Sequence, residues 1–227
     1  MSPSVPPSSR SGFVAVQHVR CSPEDSLQRA RAFRVSLATR RSVRHFSRDP
    51  IPEGVLDECI AAAASAPSGA NKQPWTFVVV RDPATRQLLR HAVEQEERRF
   101  YDERITQTWR EDLQPLGTTW EKPYVEEAPA VIVVFRQVHG VEGDRRVSHY
   151  YTQESVGIAV GFLLAALHHA GLVALTHTPA PMEFLARLLQ RPHNERSFMM
   201  IPVGYPAENC AVPDISRKSL DEVRIVR

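Results

Sequence analysis

Three apolar segments constrain the fold of this chain more than any other feature. They are rich in β-branched, aromatic and other large apolar residues, and each has the length of one buried strand. Stretches with helical periodicity separate them, yet strands and helices do not alternate regularly. No Gly-x-Gly-x-x-Gly follows the first strand, which argues against a Rossmann domain. We predict an α+β fold, with helices covering a sheet that contains Trp75–Val80, Val131–Phe135 and Ser197–Val203.

Helix-start and helix-stop residues divide the rest of the chain. Residues 138–147 are predicted to form a polar turn, and the final Val-Arg-Ile-Val, residues 223–226, an edge strand. Leu172–Leu175 is predicted as a further short strand. Helices are predicted over about residues 22–38, 52–66, 83–104, 152–170 and 182–189.

The bulk composition excludes several classes of protein. The chain of 227 residues has 28 basic and 26 acidic residues, which disfavours binding of nucleic acid over the whole surface. Its three cysteines lie far apart, so neither a disulfide framework nor a metal site is expected. No apolar stretch approaches the ~20 residues that cross a bilayer. We expect no membrane association, a cytoplasmic protein, and a disordered Pro/Ser-rich tail over residues 1–20.

Arginines and small residues recur in segments that are far apart in the sequence. Arginine forks and backbone N–H groups suit phosphate oxygens well. The pattern therefore predicts a phosphorylated cofactor held by several distant parts of the chain. These parts are Arg40-Arg41-Ser42-Val43-Arg44, Pro67-Ser68-Gly69-Ala70-Asn71, Thr176-His177-Thr178 and Arg217.

Two further patterns each allow two interpretations. Gly157 and Gly161 lie four residues apart in a predicted helix, and such small residues favour either tight packing within the subunit or a dimer interface. Glu97 and Tyr101 share one helix face, with Lys122 further along the chain. Alone, these polar residues fit a solvated helix and a surface lysine as well as a binding site.

From about Arg34 to the C-terminus the chain resembles the nitroreductase-like flavoproteins. RRSVRHFS and APSGANKQPWTFVVV are motifs shared across that superfamily. Three longer stretches are more specific for one dehalogenating branch: EERRFYDERITQTWREDLQPLGTTWEKPYVEEAP, HYYTQESVGIAVGFLLAALHHAGLVALTHTP and RPHNERSFMMIPVGYPAENCAVPDISRKSLDEV. The resemblance implies an FMN-binding domain over residues 21–227, with a central, mainly antiparallel sheet flanked by helices. It also implies an intertwined homodimer in which both chains build each site.

The resemblance also assigns roles to individual residues. Thr178 is expected to donate a hydrogen bond to flavin N5, with Thr176 in support, while His177 stands where the family has a threonine. The backbone N–H of Ala70 is expected to contact a bound phenolate. The FMN contacts implied are Arg40, Arg41, Ser42, Val43, Arg44, Pro67, Ser68, Gly69, Thr176, His177, Thr178 and Arg217.

For the substrate, the resemblance implies an amino-acid zwitterion. Glu97 would accept from its ammonium group, and Tyr101 and Lys122 would donate to its carboxylate, although the neighbouring Glu96 competes for the role of Glu97. The implied activity is FMN-dependent reductive dehalogenation of halotyrosines, with electrons from NAD(P)H or a separate flavin reductase. Two alternatives stay open: a general NAD(P)H-dependent nitro or quinone reductase, and a non-enzymatic binder of flavin or tyrosine derivatives.

Overall fold

The computed structural model describes residues 12–227, so residues 1–11 of the expected N-terminal tail lie outside the described part. The chain divides into two compact units, and the boundary along the sequence lies between Thr39 and Arg40. The first unit contains helix α1, Pro23–Ala38. Ser22 caps this helix, because its side chain accepts a hydrogen bond of 3.1 Å from the Asp25 N–H, and Pro23 lies in the first turn as predicted.

A four-stranded antiparallel sheet forms the centre of the second unit. The strands of the chain are β1 Trp75–Val80, β2 Ala130–Gln137, β3 His139–Glu142, β4 Arg145–Ser148, β5 Val173–Ala174 and β6 Glu195–Gly204. The strand order in the sheet is β1-β2-β6-β5, and every neighbouring pair is antiparallel. The three predicted buried segments are confirmed as β1, β2 and β6, and β5 lies within the short strand predicted before residue 176.

Helices surround this sheet. A π-helical turn, Phe100–Arg104, continues the third helix, and 3₁₀ turns occur at Gly69–Asn71 and Gln114–Leu116. None of the helices described within residues 12–227 is both long and apolar enough to span a bilayer. The helices of the second unit are α2 Val55–Ala64, α3 Pro83–Arg99, α4 Gln107–Leu113, α5 Tyr124–Glu127, α6 Thr152–His169, α7 Glu183–Leu188 and α8 Leu220–Val223.

Both faces of the sheet are buried, which explains the continuous apolar runs in β1, β2 and β6. Along β2, Ile132 and Val134 belong to one core cluster and Val133 and Phe135 to the other, and all four are fully buried. This alternation follows from the two-residue period of a strand. The expected α+β fold is therefore confirmed. The first cluster includes Leu56, Leu163 and Leu167 of α2 and α6, and the second includes Leu89, Val93, Val125 and Leu185 of α3, α5 and α7.

Two sequence predictions are wrong. Residues 138–147 are not only a turn, because β3 and β4 form a hairpin with Glu142 opposite Arg145 and with Gly143 at a φ of 59° between them. The C-terminal edge strand is also absent from the described chain. Ser219 and Glu222 form a capping box there, which favours the helical turn α8 over an extended strand.

Candidate active site

The segment with the first arginines lies along the edge of the sheet. Ser42 forms an isolated parallel bridge with Ala174, where the Val43 N–H donates to the Ala174 carbonyl at 3.2 Å. Phe46 forms a second bridge, with Pro206. Val43 and Phe46 are buried in the core. Because the two bridges and this burial hold the backbone of the segment, they also fix the directions in which the polar side chains of residues 40–42 and 44–45 point.

These polar side chains help to form a cavity that we call the arginine cleft. Residues from both ends of the second unit meet there: the Arg217 guanidinium donates to the Arg40 carbonyl at 2.6 Å, and the Arg41 guanidinium donates to the Pro213 carbonyl. No lining residue in the described chain is acidic. The lining consists of Arg40, Arg41, Ser42, Arg44, Leu116, Pro213, Ile215, Ser216 and Arg217.

The arginine cleft favours an anionic ligand. Burial lowers the pKa of Arg40 below its ordinary value, and the nearby positive charges of Arg217 and Arg41 lower this pKa further. Cations that face one another in this way are stabilised when a phosphate binds between them, because a guanidinium fork matches two phosphate oxygens. The cleft therefore has the charge and donor groups that the phosphate of a cofactor needs.

A second cavity, which we call the Glu97 cavity, adjoins the cleft and shares Arg44 with it. Its volume is about 180 Å³. Aromatic and apolar side chains form much of its wall, and a carboxylate, an amine and hydroxyl groups lie among them. The lining residues are Arg44, Glu97, Phe100, Tyr101, Trp109, Leu113, Thr118, Lys122, Tyr124, Leu175, Thr176, His177, Thr178 and Ala180.

Glu97 forms the polar centre of this cavity. Its Oε1 lies 2.8 Å from His177 Nε2, and its Oε2 lies 3.1 Å from Lys122 Nζ. Both members of the ion pair are buried, with 9% of Glu97 and 3% of Lys122 exposed. Burial by itself would raise the pKa of Glu97, but the hydrogen bond from His177 and the charge of Lys122 outweigh that effect and lower it. Glu97 is therefore a carboxylate at neutral pH.

The structure distinguishes the two neighbouring glutamates. Glu96 lies outside the cavity, where its carboxylate pairs with Arg99 at 2.9 Å and approaches Arg104 at 3.8 Å. Glu97 faces the cavity together with Tyr101, whose hydroxyl donates to the Thr118 carbonyl at 3.2 Å. The sequence predicted that Glu97, Tyr101 and Lys122 act together, and the structure brings all three into one cavity beside Thr176 and Thr178.

Sequence reasoning did not anticipate the contacts of His177. Its backbone pairs with Met200 of β6 through two hydrogen bonds of 2.8 and 2.9 Å, and its side chain points to Glu97. Its Nδ1 lies 3.5 Å from the hydroxyl of Tyr124, a buried residue that the sequence did not single out. Burial lowers the pKa of His177, and although Glu97 opposes this shift, the imidazole is neutral at neutral pH.

Further wall residues were also missed in the sequence. Phe100 and Trp109 pack edge to face, with ring centroids 4.7 Å apart, and Leu113 lies one helical turn beyond Trp109 on α4. The only signal for them was a concentration of aromatic residues after the charged end of the long helix. Such a signal is weak because it does not specify which rings point inwards.

The loop Pro67–Asn71 does not line either cavity within the described chain. It packs against the start of α6, where the Gly69 N–H donates to Ser155 Oγ at 3.3 Å. A Cβ atom at Gly69 would lie 2.6 Å from the Tyr150 carbonyl oxygen, so only glycine fits. Ala70 is exposed and has a φ of 49°, a left-handed conformation that is strained for alanine.

The fold and the sequence assign the chain to a family of flavoproteins. The sequence model of the nitroreductase family matches residues 37–205, which is most of the chain. The chain belongs to the nitroreductase family. Solved structures called nitroreductases, such as one from Bacteroides fragilis with bound FMN, share the fold at a TM-score of 0.63 and 20% sequence identity.

More similar proteins indicate one branch of that family. Iodotyrosine deiodinase from Haliscomenobacter hydrossis is 51% identical, over 94% of this chain and 97% of the relative. That from Hydra vulgaris is 43% identical, over 94% and 79% of the two chains. A crystal structure of oxidized iodotyrosine deiodinase bound to FMN and 3-iodo-L-tyrosine aligns with a TM-score of 0.75 and 32% identity, over 86% and 97% of the two chains. Within the nitroreductase family, the chain groups with the iodotyrosine deiodinases.

Proposed function

We propose that this protein is an FMN-dependent enzyme that reductively removes halide from halotyrosines, converting 3-iodotyrosine to tyrosine and iodide. The observation that carries this proposal is the meeting of Glu97, Tyr101 and Lys122 in one cavity that adjoins the arginine cleft. An acid, a phenol and an amine in this arrangement match the ammonium and carboxylate groups of an amino acid. The similarity to iodotyrosine deiodinases supports the same activity.

The arginine cleft is proposed to hold the FMN phosphate. Its cations repel one another in the absence of an anion, so the donor set fits a phosphate group. Bound FMN would supply the electrons for the reduction, and the protein would supply orientation and electrostatics. Thr178 and Thr176 line the neighbouring Glu97 cavity, and their hydroxyl groups are proposed to donate to the flavin ring edge.

The Glu97 cavity is proposed to hold the amino acid. Glu97 would accept from the ammonium group, while the Tyr101 hydroxyl and the Lys122 ammonium would donate to the carboxylate. The apolar wall, formed by Phe100, Trp109 and Leu113, would exclude water from the aromatic ring. Exclusion of water strengthens these ion pairs, because charges interact more strongly in a less polar environment.

A homodimer is part of this proposal. On α6, Ile158 and Phe162 are 43% and 44% exposed, and a Cβ atom added at Gly157 or Gly161 would meet nothing within 4 Å. These glycines therefore do not serve close packing within the described chain, which favours the dimer interpretation of their spacing. A partner seated on α6 would also cover the adjoining loop Pro67–Asn71. That loop could then contribute Ser68, Gly69 and the Ala70 N–H to a site shared between the chains.

The test is a direct assay of the purified protein. We expect it to bind FMN and to release iodide from 3-iodotyrosine when dithionite supplies the electrons. Glu97→Gln should weaken 3-iodotyrosine binding at least tenfold, because a charge-assisted hydrogen bond is worth about 1.5–3 kcal/mol. Glu96→Gln is the matched control, since Glu96 lies outside the cavity, and it should change neither binding nor turnover.

Other outcomes would identify another function. A protein that binds no FMN would contradict the proposal entirely. Rapid bleaching of the flavin by NADPH with broad acceptor use, and without halide release, would indicate a general nitro or quinone reductase. Tight binding of 3-iodotyrosine without halide release under dithionite would indicate a non-enzymatic binding protein.

A further inference from the structure

We propose that His177 is a positioning residue that fixes one oxygen of Glu97 and thereby reserves the other for the ammonium group of the substrate. The inference rests on the proposed function and extends it to the selection of amino-acid ligands over halophenols that lack an ammonium group. It starts from the unequal partners of the two Glu97 oxygens: Oε1 has His177 Nε2 at 2.8 Å, and Oε2 has Lys122 Nζ at 3.1 Å.

The hydrogen-bonding chemistry determines the tautomer of His177. A carboxylate can only accept hydrogen bonds, so the proton of the neutral imidazole lies on Nε2 and points to Glu97. Nδ1 is then an acceptor, and the Tyr124 hydroxyl, 3.5 Å away, is the donor on that side. The Tyr124 and His177 rings pack edge to face with centroids 5.8 Å apart, which restrains the imidazole plane. His177 thus receives its orientation from α5 and transmits it to a carboxylate on α3.

His177 is also held rigidly by its backbone. Its N–H donates to the Met200 carbonyl and its carbonyl accepts from the Met200 N–H, so the residue is attached to a central strand of the sheet. Only about a tenth of its side chain is exposed, and Glu97 is the partner of Nε2 in the described chain. The backbone pairing and the burial of the ring therefore hold the bond from His177 Nε2 to Glu97 Oε1 in place.

Lys122 differs from His177 because it has other acceptors within reach. Its ammonium donates to Thr118 Oγ1 at 3.2 Å and to the Thr119 carbonyl, in addition to Glu97. Lys122 can consequently leave Oε2 without losing all its hydrogen bonds, which would be costly for a buried cation. Lys122 Nζ lies 3.1 Å from Glu97 Oε2, which is the position that a substrate ammonium would take.

Binding of an amino acid is then an exchange of ion pairs. The substrate ammonium replaces Lys122 at Oε2, and the released Lys122 ammonium pairs with the substrate carboxylate. His177 keeps Glu97 in place throughout the exchange. A ligand without an ammonium group leaves the Glu97–Lys122 pair intact, so its affinity does not depend on His177.

Calorimetry on the FMN-loaded protein tests this dependence with two ligands. 3-Iodotyrosine carries the ammonium group, and 3-(4-hydroxy-3-iodophenyl)propionate lacks only that group. His177→Leu, which removes both ring nitrogens, should weaken 3-iodotyrosine binding about tenfold or more, since the lost hydrogen bond is to a charged group. The des-amino ligand should change less than about twofold under the same principle. His177→Gln keeps an N–H donor at a similar reach and should restore most of the affinity.

FMN affinity, measured by flavin fluorescence, separates this role from a structural one. It should be unchanged in every variant, because the substitutions keep the backbone of residue 177, and the ring they remove contacts Glu97 and does not line the arginine cleft. Equal weakening of both ligands, loss of FMN, or unchanged binding of 3-iodotyrosine in His177→Leu would each overturn the inference. If that variant does not fold, His177→Asn, whose amide is too short to reach Glu97, provides the same comparison. Failure of the unaltered protein to bind FMN or 3-iodotyrosine would instead overturn the proposed function, and the inference with it.

Discussion

Glu97 remains charged although it is buried, because two donors surround it. His177 and Lys122 each approach one of its oxygens, and together they offset the cost of burying the carboxylate. Removal of either donor leaves a buried charge with one partner fewer, which costs more than the pair itself contributes. The arrangement therefore makes the cavity sensitive to single substitutions and to pH.

Stability should decrease as the pH falls below about 6.5, the ordinary pKa of histidine. Burial lowers the pKa of His177 in the folded protein, so the unfolded chain takes up this proton first. The free energy of unfolding then falls as the pH decreases towards the folded pKa, by at most about 1.4 kcal/mol per pH unit. The charged and titratable groups that face His177 are Glu97 of α3, Lys122, Tyr124 of α5 and Arg44.

Urea unfolding at several pH values between 8 and 5 measures this dependence. His177→Gln lacks the titrating group and should show a shallower decrease than the unaltered protein, with the two curves converging as the pH falls. Parallel curves would mean that His177 has the same pKa in the folded and unfolded chains.

Individual residues show how far a sequence can predict such a site. The meeting of Arg40 with Arg217 and of Glu97 with Lys122 followed from motifs that the chain shares with a known family. The bond from His177 to Glu97 could not be predicted, because it depends on where two side chains point from a strand end and a helix. Nor could the position of the loop at Gly69 outside both cavities be predicted, since it depends on packing against Tyr150 and Ser155, which are distant in the sequence.

Among the elements, α4 forms a wall of the Glu97 cavity through Trp109 and Leu113. The Thr106 side chain caps this short helix by accepting from the Trp109 N–H at 3.2 Å. The Phe100 ring of the preceding π turn packs on Trp109. A helix of seven residues is marginal without its cap, so the wall depends on Thr106.

Thr106→Ala should weaken 3-iodotyrosine binding by about fivefold, because loss of an N-cap costs about 1 kcal/mol of helix stability. Thr106→Ser keeps the hydroxyl and should behave as the unaltered protein in the same calorimetric titration. FMN affinity should not change in either variant, since Thr106 lies outside the arginine cleft. Equal affinities for 3-iodotyrosine in the alanine and serine variants would contradict the role of α4.

The elements also differ in how clearly the sequence predicted them. Strands β1, β2 and β6 are buried on both faces, and their continuous apolar runs were sufficient to locate them. The hairpin of β3 and β4 was missed because its second strand, Arg145–Ser148, is mostly polar and exposed. Three apolar residues near the C-terminus suggested a strand, but the capping box at Ser219 favours a helical turn instead.

For the whole molecule, the outer face of α6 is the main candidate for contact with a second copy. Phe162→Glu should convert a dimer to monomers, because it would place a charge in an apolar interface. FMN binding should weaken with it if the loop Pro67–Asn71 completes the partner's site. Light scattering after size-exclusion chromatography and a flavin titration measure the two effects.

Leu88→Glu is the matched control, since Leu88 is a similarly apolar and exposed residue on α3. This variant should keep the dimer and its flavin. A monomeric unaltered protein that still binds FMN fully would contradict the proposed dimer, and so would a Phe162→Glu variant that remains dimeric.

The wall segments of the two cavities are connected to the rest of the molecule in different ways. The segments around Ser42 and His177 are joined to the central sheet by backbone bridges, whereas residues 100–122 form a long excursion between α3 and α5. Apart from Leu116, which lines the arginine cleft, residues of the excursion can therefore be mutated to alter which ligand is accepted while FMN binding is preserved. Directed evolution towards new halogenated compounds should begin in that excursion.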